Sequence, residues 1–118
     1  MRRGEIWWAD MPEPVYSGPG YRRPVLVVQD NDFNKSSIKT VIVASITSNL
    51  RIATAKGNVI ISPSHSGLEK DSVVNVSQLF SLDKTLLFEL VGELSANKME
   101  QVDTGLLKVL SLTPPRSS

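Results

Sequence analysis

Apolar positions follow two different periods along this chain. Between Glu5 and Glu93 they come as short runs and alternations, the pattern of strands; beyond Ser95 they recur at helical spacing. Glu5–Met11 begins with Ile6-Trp7-Trp8, aromatic and β-branched side chains that suit a pleated surface. Pro24–Asp30 and Thr40–Ile46 are unbroken runs rich in Val and Ile, bounded by turn formers. Such runs suit strands buried on both faces or central to a barrel. Asn58–Ile61 is a shorter strand, stopped by Ser62-Pro63. Ser72–Phe80 alternates, placing Val74, Val76 and Gln78 on one face and Val73, Asn75, Ser77 and Leu79 on the other. Leu86–Glu93 reads as a sixth strand or as a strand with a short helical lead-in. Ser95 then offers an N-cap, and Met99, Val102, Leu106 and Leu110 share a helical face through about Leu112, where Thr113-Pro114-Pro115 stops it. Gly105 weakens that helix by roughly 1 kcal/mol relative to Ala. Five or six short strands and one helix predict a mainly β fold, a small and partly open barrel with the helix packed on one side. One domain is expected over residues 1–112, with a short flexible tail at 113–118.

Composition narrows the chemistry. A chain of 118 residues supports a single core. Cysteine is absent, which removes disulfides, thiol nucleophiles and thiolate metal sites. No run of 18 apolar residues occurs, and Met1-Arg-Arg-Gly-Glu leads into a strand pattern, so a soluble cytoplasmic protein is expected, with no membrane partner. The formal net charge is only +1, but it is unevenly spread. Residues 1–59 carry eight Lys/Arg against five Asp/Glu, whereas residues 60–118 carry five against seven. Local potential, not net charge, draws a polyanion, and the basic half contains Arg22, Arg23 and Arg51.

Candidate chemistry centres on Arg22-Arg23-Pro24, which follows the Gly- and Pro-rich loop Pro12–Tyr21. Pro24 has no N–H and biases Arg23 toward an extended conformation, so the strand is expected to begin there with Arg23 at its lip. An anchored guanidinium beside a mobile loop suits phosphate recognition; the competing reading is a pair of solvated strand-start charges. Thr47-Ser48-Asn49 ends the strand Thr40–Ile46, and if that strand neighbours Arg23 the arginine and Thr47 face a common groove. The single histidine, His65, sits in a turn-like Ser62-Pro-Ser-His-Ser-Gly67 and reads as a loop residue, not a catalyst or a zinc ligand. Asp30 and Asp32 straddle Asn31 and read as solvated loop carboxylates in preference to a divalent-ion site. No Gly-rich phosphate loop precedes a helix, so no nucleotide cofactor is expected, and none of another kind.

Four pieces occur in order: Arg3-Gly4-Glu5-Ile6-Trp7; Arg23-Pro24-Val25-Leu26-Val27-Val28; Ala44-Ser45-Ile46-Thr47-Ser48; and Asp71-Ser72-Val73-Val74 followed by Gln78. Together, over about residues 2–112, they resemble the MazF/PemK family of toxin endoribonucleases from toxin–antitoxin modules. The resemblance implies an SH3-like, CcdB/PemK-type barrel, a homodimer, metal-free cleavage of single-stranded RNA or mRNA, and a cognate antitoxin whose peptide lies in the RNA groove. By position it implies a catalytic pair, Arg23 and Thr47, with Tyr21, Arg22, Ser48, Asn49 and Gln78 as RNA-binding candidates. The implied nucleophile is the neighbouring 2′-OH, leaving a 2′,3′-cyclic phosphate, with Arg23 and the Thr47 hydroxyl stabilising charge on the phosphoryl oxygens. No residue is assigned as general base. Trp7, Trp8, Tyr16, Tyr21 and Phe80 are candidate stacking surfaces, with core packing the better reading for the tryptophans. The chain departs from the family pattern in three places. Its first loop reads Ser17-Gly18-Pro19-Gly20 with no acid, Ser77 replaces a common acid before Gln78, and Phe80 stands where a base is common; these bear on sequence preference and catalytic strength. A CcdB-like gyrase poison is the rival on the same barrel, but that activity needs a tryptophan near the C-terminus, and both tryptophans here are at 7 and 8. A non-catalytic binding barrel is the other rival.

Overall fold

The computed structural model describes residues 1–11 and 21–112. Six strands, β1 (Glu5–Met11), β2 (Tyr21–Val27), β3 (Thr40–Thr47), β4 (Val59–Ile61), β5 (Ser72–Asp83) and β6 (Leu87–Glu93), form one antiparallel sheet in the order β4-β5-β3-β2-β1-β6. The sheet curls into a half-barrel with β4 and β6 as its edges. Short helices α1 (Asn31–Lys35) and α2 (Pro63–Ser66) fill two connections, 3₁₀ turns span Leu50–Thr54 and Lys84–Leu86, and α3 (Ala96–Val109) closes the fold. No helix among the described residues is long and apolar enough to cross a membrane.

Unbroken apolar runs occur because both faces of the sheet are covered. Ile6, Leu26, Ala44, Ile46, Val59, Ile61 and Val74 pack with Leu94 and with Val102 of α3. Their strand neighbours Ala9, Val25, Val27, Val41, Val43 and Leu82 build a second layer inside the curl. Each fully buried Val, Leu or Ile contributes about 1.5–3 kcal/mol of transfer free energy. β5 serves both layers by bending. It pairs with β3 from Thr47/Val73 to Ser45/Asn75 and again from Ala44/Leu79 to Thr40/Asp83, so Val76–Gln78 have no β3 partner. Side chains take up the freed amides: Val76 N–H donates to Asn58 Oδ1 (3.0 Å) and Ser77 N–H to Asn75 Oδ1 (3.2 Å). Such a bulge bends a strand and sharpens its twist.

Several boundaries differ from the sequence expectation: β3, β4 and β6 by one residue, and β5 by running on to Asp83, three residues past Phe80. The limits of β2 and α3 differ for local reasons. β2 begins at Tyr21, not Pro24. Val28 N–H donates to Ile42 O (3.1 Å), so even-numbered residues of β2 turn their backbone groups toward β3. Pro24 lacks the donor required there, and the β2–β3 ladder ends at Val25/Ser45, while pairing with β1 continues to Tyr21/Met11. The other end of β2 is Val27, because Asp30 caps α1: its Oδ2 accepts from Asp32 N–H (2.9 Å). α3 stops before Leu112 through a Schellman turn. Ser111 adopts φ 56°, Ser111 N–H donates to Lys108 O and Leu112 N–H to Leu107 O.

Arg3 clasps the helix to the barrel. Its Nη2 meets Asp103 Oδ1 at 2.7 Å, its Nε donates to Val28 O (2.8 Å), and its backbone N–H donates to Asn31 Oδ1 (2.7 Å). At the far end of the sheet Asp83 caps the turn Lys84–Leu86. Hydrogen bonds from the Thr85 hydroxyl and backbone hold its carboxyl below the usual aspartate range. A lowered folded-state pKa contributes stability that is present above the unfolded pKa and lost as pH falls through the folded value. An NMR titration should therefore show Asp83 ionising below the ordinary range, and Thr85→Val should return it toward that range.

Candidate active site

Where the β2–β3 ladder ends, the two strands part. Continuing the register of Val25 opposite Ser45 by two residues sets Arg23 across from Thr47. Between them opens a groove of about 630 Å³ whose near wall carries Trp8, Arg22, Arg23, Thr47 and Ser48. Its far wall comes from the segment after α2 (Leu68, Glu69, Lys70) and from Glu89 and Leu90 of β6. Three cations and two carboxylates thus line it, so its charge is mixed.

Arg23 is half-buried, and its guanidinium carbon lies 4.8 Å from the centre of the Tyr21 ring. Residues two apart on a strand share a face, and Tyr21 itself packs against the second core layer. The ring is therefore a fixed support for the guanidinium, a contact worth about 0.5–1 kcal/mol. Thr47 Oγ1 accepts from Asn49 N–H (3.1 Å), which uses a lone pair and not the hydroxyl proton. Asn49 Oδ1 in turn accepts from Arg51 N–H (3.1 Å) and caps the 3₁₀ turn Leu50–Thr54, and Asn49 is not among the residues lining the groove. Gln78 stands exposed on the β5 bulge, also outside the groove, as does Phe80. Arg22 takes a different setting from Arg23. Its Nε lies 3.3 Å from Asp10 Oδ1 and its guanidinium carbon 4.9 Å from the centre of the Phe88 ring.

The two tryptophans divide. Trp7 packs against the second layer and donates Nε1–H to Glu5 (3.1 Å), whereas Trp8 lines the groove. Tyr16 and the loop departure at Gly18 lie outside the described residues. His65 belongs to α2: its Nδ1 bonds Ser62 Oγ (2.9 Å) and its carbonyl accepts from Ser95 N–H, a structural role. Among the described residues no three His, Asp or Glu side chains converge on one point.

The far wall was not expected from the sequence. Gly92 lets α2 press on β6: a Cβ there would stand 2.9 Å from Ser66 O, and Gly67, at φ +82°, leads the chain away. The two glycines are the only sequence sign of this contact, and nothing in the sequence pairs them.

Residues 2–110 match the model of the PemK-like, MazF-like toxins of type II toxin–antitoxin systems. The chain belongs to this family. Among MazF-like relatives, endoribonuclease MazF2 of Mycobacterium bovis is 48% identical over 112 residues, covering 95% of this chain and 98% of that protein. A mycobacterial endoribonuclease solved in complex with its cognate antitoxin superposes with a TM-score of 0.79 at 26% identity, over 98% of this chain and 99% of that one. The MazE–MazF structure of Deinococcus radiodurans gives 0.78 at 23% identity over 96% and 97%, a likeness of fold. The curled sheet with its C-terminal helix is thus the MazF fold, as the strand and helix patterns predict.

Proposed function

We propose that this chain is a toxin endoribonuclease that cuts single-stranded RNA, including mRNA, in the cytoplasm, and that Arg23 and Thr47 are its catalytic pair. The observation that supports the reading is that the β2–β3 ladder ends at Val25/Ser45 and that Arg23 and Thr47, the next positions in that register, both line one groove. A second copy of the chain and a cognate antitoxin are its protein partners; the antitoxin holds it inactive.

The 2′-oxygen attacks the adjacent phosphorus, its proton passing to solvent or to a base not yet assigned. The P–O5′ bond breaks, the 5′-oxygen takes a proton from solvent, and the products are a 2′,3′-cyclic phosphate and a 5′-hydroxyl. Negative charge grows on the non-bridging oxygens as the fifth bond forms. Arg23 presents a planar fork to them, and Thr47 retains a proton to donate. Deprotonating arginine is costly, so Arg23 acts by charge stabilisation and by hydrogen-bonding the departing oxygen. Neither role requires a metal ion. Incubation with a long RNA in EDTA should give fragments ending in cyclic phosphate, and a 2′-deoxy nucleotide at the scissile position should block cutting there. Cleavage of the deoxy position would show that the nucleophile is another group. Activity that appears only on adding a divalent cation would overturn the metal-free mechanism.

A further inference from the structure

Phe88 is placed where a core residue would not be. Trp8 pairs with Glu89 and Ala9 with Leu87, so Phe88 falls in a register shift of the edge strand β6 and is pushed out of the ladder. Its neighbour Leu87 is buried, yet Phe88 is 43% exposed. Arg22 reaches over its ring at 4.9 Å, and Asp10, directly opposite Arg22 on β1, meets the guanidinium edge at 3.3 Å. The Arg22 side chain remains 68% exposed and lines the groove rim. An arginine with a carboxylate at its edge has part of its charge already answered, and one lying over a ring keeps its plane fixed. Such a group is better suited to stacking on a flat π system than to clamping a phosphate.

We infer that Arg22, at the groove rim, and Phe88, just outside the groove beneath it, form a stacking subsite for an unpaired nucleobase of the bound strand. The inference rests on the chain being an RNA-cutting toxin, and it gives the two adjacent arginines different tasks: Arg23 meets the phosphate and Arg22 the base. Stacking is tolerant of base identity, so the subsite adds affinity and positions the strand without reading a sequence by itself.

The test is steady-state cleavage of a short RNA with a single abasic nucleotide introduced at each position flanking the cut. Phe88→Ala should raise KM about tenfold with kcat within about twofold, the size expected for loss of one stacked base. Phe88→Tyr should restore KM. Arg22→Lys keeps the charge but loses the plane, and should behave like Phe88→Ala. At one abasic position the native protein should fall to the level of Phe88→Ala, and the variant should lose nothing further. A native KM for Phe88→Ala, a native KM for Arg22→Lys, or additive losses at every abasic position would each overturn the subsite. Failure of the native protein to cut any RNA would instead overturn the toxin reading on which it rests.

Discussion

Arg23→Ala is expected to slow RNA cleavage by about 10²–10³-fold without unfolding the barrel, the usual cost of removing one preorganised donor from a developing oxyanion. The side chain is half-buried at the end of a ladder, and the layer beneath it is built from Val25, Val27 and Tyr21, so folding does not depend on it. Arg23→Lys retains the charge but not the fork, and should recover only a small part of the rate. Thr47→Ala should cost a similar factor. The double variant should lose less than the product of the two, because both donors serve the same phosphoryl group. Tyr21→Leu should produce a smaller loss confined to kcat, since the ring acts through the guanidinium it supports. Single-turnover cleavage with a fluorescent RNA, alongside thermal unfolding of each variant, separates these outcomes. Native rates in a folded Arg23→Ala or Thr47→Ala protein would remove that residue from the catalytic pair.

Gly105→Ala is expected to destabilise the protein, against the usual sign of that substitution. In an open helix, replacing Gly by Ala gains about 1 kcal/mol. Here a Cβ on Gly105 would stand 2.2 Å from Gly57 O and 3.2 Å from Gly57 Cα. The obstacle is backbone, so no rotamer change relieves it. Nor is Gly57 free to adapt: it holds φ +87°, and its own Cβ position would be 3.0 Å from Val76. α3 must therefore move off the turn before β4, loosening Val102, which is fully buried. A net loss of about 1–3 kcal/mol follows from overpacking of this kind, a large share of a typical 5–15 kcal/mol. Urea unfolding should show it. An equal or higher midpoint for Gly105→Ala would mean that the helix contact is looser than these distances state.

These two sites show what the sequence could and could not convey. Gly105 reads as a weak spot in a helical pattern, and its contact with Gly57, some fifty residues away in the chain, has no local signature. The strands were legible because alternation and Val/Ile runs are local properties, and the two buried faces of β2 and β3 follow from them. Pro24 was read correctly as a missing donor, but its effect is one-sided: it ends pairing with β3 and leaves pairing with β1 intact, which only the neighbours decide. Asn49 reads as a neighbour of Thr47, and its further role, accepting the Arg51 N–H at Oδ1 to cap the next turn, depends on a backbone course the residue types do not announce. Arg23 and Thr47 were legible as a pair only on the condition that their strands are adjacent, supported by the family pattern. Phe88 carried no signal, because the bulge that exposes it arises from the register of β6 on β1.

That same pairing has a consequence for synthesis on the ribosome. Among the described strands β1 is made first and β6 last, and they become neighbours only when residues 87–93 have emerged. Contacts of such long sequence separation form late, after the loop-closure entropy has been met. Until then Trp8 has no Glu89 beside it and the far wall lacks Glu89 and Leu90. The clasp from Arg3 to Asp103 is later still. The groove that holds Arg23 and Thr47 is therefore completed only after residues 87–93 have left the ribosome, well after both of those residues are made, and an antitoxin already in solution can meet it as it forms.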